Sequence, residues 1–155
     1  MGAAYFYHLT RQSLETALHR LLEKALEKGW RIEVRMPDLS RLSWFDEKLW
    51  LGPEEAFLPH GIGGGKNDNL QPILLCTQPT VNTQCVISVE GAEITPQEVF
   101  QKERVCILFN GNDPGELDKA RCQWKALIEV GCEAQYWSEE SGHWQKSAEA
   151  NISKD

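Results

Sequence analysis

Two hydrophobic rhythms alternate along this chain. Residues 5–9 make a short apolar and aromatic run that predicts a strand, and Leu14, Ala17, Leu18, Leu21, Leu22, Ala25 and Leu26 then fall on one helical face. Thr10 is the predicted N-cap of that helix and Gly29 its stop. Residues 30–35 alternate apolar with polar, as a second strand would, so the first unit is β-α-β. Leu39, Leu42, Phe45, Leu49 and Trp50 predict a short, broken helix over 38–50, and Gly52-Pro53 leads to a brief turn over 54–58.

A glycine-rich loop, residues 61–69, separates this half from strands predicted at 73–76 and 85–89. Thr95 and Pro96 open a short helix reaching residue 101. The continuous apolar run 105–109 predicts a central parallel strand covered on both faces. Asp113, Pro114 and Glu116 supply an acidic N-cap, a proline at the first helical position and a glutamate at the third, for a helix ending near residue 130 at Gly131. Residues 133–137 are the last predicted strand. Beyond Ser138 the sequence turns polar, so a single domain over 1–146 is expected, with 147–155 as a flexible polar tail. Strands alternating with helices imply an α/β fold of three layers, α/β/α, around a mainly parallel sheet.

Composition narrows the function. A chain of 155 residues, 41% hydrophobic, suits one domain with its own core. A formal charge of -7 opposes a surface that attracts nucleic acid as a whole, because phosphate binding rests on clustered Lys and Arg. The first residues carry neither a basic leader nor a long apolar run, and no stretch nears the roughly 18 apolar residues of a membrane span, so a cytoplasmic location is expected. Cys76, Cys85, Cys106, Cys122 and Cys132 are odd in number and contain no Cys-x-x-Cys pair; they read as buried free thiols.

Candidate chemistry is sparse. The loop 61–65 invites a phosphate-binding reading, and with it a nucleotide-binding α/β enzyme. A Walker A sequence ending at Lys66, however, needs Gly at His60 and Ser or Thr at Asn67, and Pro72 and a strand follow in place of a helix. His8, His19, His60 and His143 have no partner at metal-ligand spacing, and no nucleophile motif is present, so no catalytic, metal-ligating or cofactor-binding residue is nominated. The helix from Asp113 is more informative. Leu117, Ala120, Trp124 and Leu127 share an inward stripe, while Arg121 and Lys125 flank Trp124. Like charges at i and i+4 cost a few tenths of a kcal/mol unless an anion sits between them. Alternatively, Asp118 pairs with Arg121 and Glu129 with Lys125, leaving Trp124 as core. A second cluster, Trp50, Pro53, Phe57 and Leu58, places large apolar groups in irregular structure; it is either a partner-binding patch or packing beneath a loop.

Several of these segments resemble one family. Phe6-Tyr7-His8-Leu9, Phe45-Asp46-Glu47-Lys48-Leu49-Trp50, the stretch from Pro53 to His60, and Ala120-Arg121-Cys122-Gln123-Trp124-Lys125-Ala126 are similar to the chi subunit of bacterial DNA polymerase III holoenzyme, over roughly residues 4–138. The resemblance implies a Rossmann-like fold and a non-catalytic, cofactor-free accessory of the clamp loader. Such a subunit bridges the psi subunit to the acidic C-terminal tail of single-stranded DNA-binding protein, meeting DNA only indirectly. It further implies that Arg121, Trp124 and Lys125 receive that tail and that Trp50, Pro53, Phe57 and Leu58 meet psi. The family often carries Tyr where Trp124 stands, which here would remove a hydroxyl.

Overall fold

The computed structural model describes residues 3–10, 13–50, 60–62, 72–77, 83–139 and 144–150, with 48–50 and 60–62 described in their backbone alone. Chain order is β1 (Ala3–Leu9), α1 (Leu14–Glu27), β2 (Ile32–Arg35), α2 (Ser40–Trp50), β3 (His60–Ile62), β4 (Ile73–Cys76), β5 (Cys85–Ser88), α3 (Pro96–Gln101), β6 (Arg104–Asn110), α4 (Pro114–Glu129), β7 (Glu133–Ser138) and β8 (Gln145–Ala150). The eight strands among the described residues form one sheet in the order β3-β4-β2-β5-β6-β1-β7-β8. All neighbours are parallel except β7 and β8.

Side-chain alternation in the strands builds two cores, one on each face. Tyr7, Leu9, Ile32, Val34, Ile87, Cys106 and Leu108 pack beneath α1 and α2, where Leu18, Leu22 and Phe45 are buried. Phe6, Val86, Val105, Ile107 and Phe109 pack on the opposite face against Val99 of α3 and Ala120 and Leu127 of α4. The architecture is therefore the expected three-layer α/β/α fold with a mainly parallel sheet.

Local boundaries differ from the sequence reading in physically instructive ways. Ser13, not Thr10, caps α1: its hydroxyl accepts from the Thr16 amide at 3.2 Å, whereas the Thr10 amide donates to Glu139 at 2.9 Å and belongs to the end of β1. The segment read as a broken helix is one helix over Ser40–Trp50. His60, Gly61 and Ile62, assigned to a histidine beside a glycine loop, form β3 at the sheet edge; the rest of that loop, 63–69, and the turn 54–58 lie outside the described residues. A further strand, β8, follows β7 and pairs antiparallel with it, so residues 147–150, expected in the tail, belong to the sheet. Residues 151–155 lie outside the described residues. Cys76, Cys85, Cys106 and Cys132 are buried free thiols as expected, but Cys122 is exposed.

The alternation in β2 conceals a buried charge network. Its polar positions do not face water: Glu33 is 0% and Arg35 4% exposed. The Arg35 guanidinium donates to Glu33 through Nε at 2.7 Å, to Glu98 at 2.9 and 2.5 Å, and to the Glu93 carbonyl at 3.2 Å. Glu98 also closes the capping box of α3, accepting from the Thr95 amide at 3.1 Å while its own amide donates to the Thr95 hydroxyl at 3.3 Å. One cation thus ties β2 to α3. Burial disfavours charge on both groups, yet the hydrogen bonds to Glu98 and Glu33 hold the Arg35 guanidinium above its ordinary pKa, and those from Arg35 and Thr95 hold the Glu98 carboxyl below its own.

Arg35→Ala would leave two carboxylates gathered round an empty centre. Urea denaturation is expected to show a loss of about 3–5 kcal/mol; a loss below about 1 kcal/mol would mean that the charges are not held as described. The network also predicts acid sensitivity. Because Glu98 titrates lower when folded than when unfolded, the unfolded chain takes up that proton first, so the stabilisation is full above the usual glutamate range and fades as pH falls through and below it. Below about pH 5, stability should fall more steeply in the parent protein than in Glu98→Gln, and parallel slopes would contradict the assignment.

Candidate functional site

The site is carried by α4, which the sequence builds with strong terminal signals. Asp113 accepts from the amides of Gly115 at 2.9 Å and Glu116 at 3.2 Å, Pro114 occupies the first turn, and Gly131 leaves the helix at φ 89. Ala120 and Leu127 are buried on the sheet, with Leu117, Trp124 and Ile128 half-buried beside them. The predicted inward stripe is therefore correct, and Ile128 extends it. Leu117, Arg121, Trp124 and Ile128, at i, i+4, i+7 and i+11, share one flank of the helix.

Trp124 is fixed from below by aromatic rings. Its indole meets Phe6 edge-on at 5.2 Å and Tyr136 at 5.8 Å, and those two rings stack on each other at 6.5 Å. The Tyr136 hydroxyl shares a 2.7 Å hydrogen bond with His8 Nδ1. His8 in turn lies against Gly111, where any side chain would overlap the imidazole. The sequence reading used neither Tyr136 nor His8 in the site. The available signal was parity, since Ala4, Phe6 and His8 point to the same side of β1.

Above this aromatic floor, Arg121 and Lys125 are exposed, with Cβ atoms about 5–6 Å apart as their spacing requires. The ion pairs among the described residues engage other cations, Arg35, Arg41 and Lys146, and Glu23 has His19 at 3.2 Å. Asp118 does not pair with Arg121, nor Glu129 with Lys125. The alternative in which local acids neutralise both cations is therefore not realised among the described residues, and Trp124 is part core and part surface. The arrangement offers two uncommitted cations around an apolar wall. Of the second cluster, Trp50 ends α2, its side chain outside the described residues, and Pro53, Phe57 and Leu58 lie outside them altogether.

Open α/β sheets usually take nucleotides at the carboxyl ends of their strands. Here the crevice beyond β1 and β6 is lined by Glu15, Glu90 and Glu116, and its cation, Arg41, is paired with Glu90 at 2.7 Å. Burial first, then the charges of Asp113 and Glu90, raise the Glu116 pKa, so this crevice already resists negative charge. The strand that begins the glycine loop lies at the far sheet edge, beyond β4, β2, β5 and β6 from β1. No group of three potential metal ligands is clustered among the described residues.

Comparison with known proteins adds the lineage. Residues 1–135 match the family model described as DNA polymerase III chi subunit, HolC. No curated protein matches the chain. Among solved structures, the Pyrococcus furiosus Hef helicase domain is similar at a TM-score of 0.52 and 11% identity, over 90% of this chain. The chain spans only 35% of that structure, and the likeness concerns fold alone. With most of its length accounted for by one family, on an architecture of the expected class, the chain belongs to the DNA polymerase III chi subunit family.

Proposed function

We propose that this protein is a non-catalytic subunit of the clamp-loader complex that bridges the psi subunit to the acidic C-terminal tail of single-stranded DNA-binding protein. The tail docks on α4: its terminal carboxylate and acidic side chains meet Arg121 and Lys125, and its last apolar residue lies against Trp124. The observation that carries this reading is the pair of cations without ion-pair partners among the described residues, beside a half-buried indole, on a chain of net charge -7. Charge-assisted hydrogen bonds are the stronger kind, and a free C-terminus offers two acceptor oxygens at one point. The acidic remainder of the surface opposes bare DNA while leaving this small basic site open to a short peptide. Where the family often has a tyrosine hydroxyl, Trp124 has none, and the Tyr136 hydroxyl beside it is bound to His8. Psi is assigned to Trp50, Pro53, Phe57 and Leu58 through the family resemblance.

The location follows the same reading: a replication subunit acts in the cytoplasm. No helix among the described residues is long and apolar enough to cross a membrane. The rival reading, a nucleotide-binding enzyme using residues 61–65, is opposed by the place of β3, at the sheet edge and four strands away from the strand-end crevice beyond β6 and β1. Thermal shift with ATP, GTP and NAD is expected to show no stabilisation, and a clear shift with any of them would revive the rival.

Arg121→Ala and Lys125→Ala should each weaken binding of an acidic, carboxylate-ended peptide by roughly threefold to tenfold, with added salt reducing the difference. Both side chains are exposed, so melting temperatures should move by no more than about 2 °C. Peptide titration by calorimetry checks this. Unchanged affinity in both variants would remove α4 as the docking site.

A further inference from the structure

A second cationic site lies on the opposite face of the sheet. Helices α1 and α2 cover the centre of that face, but no helix among the described residues covers β7 and β8 there. Beside α1 this leaves a cavity of about 280 Å3 whose walls are Tyr7, Trp30, Trp137 and Trp144. Tyr7 and Trp144 meet edge to face at 5.4 Å, forming a corner. Cys85 and Cys106 lie in the floor. A hydrogen bond with Cys106, and then burial, raise the Cys85 thiol pKa, and burial raises that of the Tyr7 phenol, so the floor stays neutral.

The rim is the opposite. Arg20 and Lys24 stand one turn apart on α1, Lys28 is the residue that caps its C-terminus, and Arg104 faces them from β6. None of the four forms an ion pair among the described residues; Lys28 lies over the Trp30 ring at 4.8 Å, and the Arg104 guanidinium over Tyr5 at 4.4 Å and Trp30 at 5.3 Å. Like charges one turn apart, as Arg20 and Lys24 are, destabilise a helix slightly unless anions lie against them. On a chain of net charge -7, such a concentration around an apolar hollow is a complementary surface for an acidic ligand.

We propose that this cavity docks an acidic peptide segment of a partner protein, with one large apolar side chain entering the aromatic hollow and flanking carboxylates meeting the cationic rim. The volume of about 280 Å3 stands at the small end of the ~300–1,000 Å3 of ligand sites and is ample for one large side chain. Single-stranded nucleic acid is disfavoured: the rings form a half-buried corner in place of successive stacking platforms, and the net negative molecule repels a polyanion. This site is independent of the one on α4 and needs no free C-terminus.

That difference supplies the test. The nitrogen-15-labelled full chain is titrated with acetyl-Asp-Glu-Phe-Asp-Glu-amide while its indole N–H signals are followed by NMR. The Trp137 and Trp144 signals should shift; the double reversal Arg20→Glu/Lys24→Glu should weaken the effect by about tenfold, and Arg121→Ala/Lys125→Ala should leave it intact. Both reversed positions are exposed, so the variant keeps its fold, as circular dichroism verifies. Unmoved Trp137 and Trp144 signals, equal shifts from the uncharged Asn-Gln-Phe-Asn-Gln counterpart, or loss of binding only in the α4 variant would overturn the proposal. Stronger shifts with an oligothymidylate would overturn it in favour of nucleic acid.

Discussion

Trp124 couples the interior of this protein to its outer surface. Its indole is held on the sheet by Phe6 and Tyr136, and the same residue stands between two exposed cations on α4. A surface lysine and arginine ordinarily contribute little to recognition, because long side chains lose entropy when they are held in one geometry and water screens them. Seated beside a fixed aromatic wall, they become part of a surface with a defined apolar element, which is what a short peptide needs to bind in one register. The aromatic stack reaches further back, through His8 to Gly111, where only a glycine permits the imidazole to lie against the backbone. The candidate site is therefore an outgrowth of the β1, β6 and β7 region and not an isolated surface patch.

The sheet supplies that rigidity in two ways. The seven parallel strands among the described residues require cover on both faces, which the described helices provide in pairs, α1 with α2 and α3 with α4. Toward the β4 side, the cover of α3 is fastened by the buried Arg35 guanidinium, whose partners come from β2, from α3 and from the loop carbonyl of Glu93. Toward the β7 side, helical cover ends on the α1 face, and half-buried tryptophans surround the resulting hollow. The two basic features of this acidic molecule lie on opposite faces of the sheet, one on α4 and one beside α1.

Much of this architecture was legible in the sequence where local chemistry and burial agree. Helix α4 is the clearest case: Asp113, Pro114 and Gly131 mark its ends, and the inward stripe of Leu117, Ala120, Trp124 and Leu127 has the right period. The same stripe placed Arg121 and Lys125 beside Trp124. Legibility failed where tertiary context overrides local pattern. Glu33 and Arg35 look like a solvated strand face, and only the distant Glu98 makes their burial tolerable. Residues 145–150 are polar and largely exposed, so they lack the hydrophobic signal of a strand; backbone pairing to β7 defines them instead. The aromatic hollow beside α1 draws on residues from Tyr7 to Trp144, and no short sequence window contains it.

The central claim is that α4 receives the free end of an acidic polypeptide, and the Trp124 indole N–H is the reporter nearest to that event. NMR titration of the labelled chain with one acidic peptide in two forms, a free C-terminal carboxylate and its amide, isolates the contribution of the chain end. Capture at α4 predicts a saturable Trp124 shift with the carboxylate form and a far weaker one with the amide. A Trp124 signal that ignores both forms, or that moves equally with each, would contradict it.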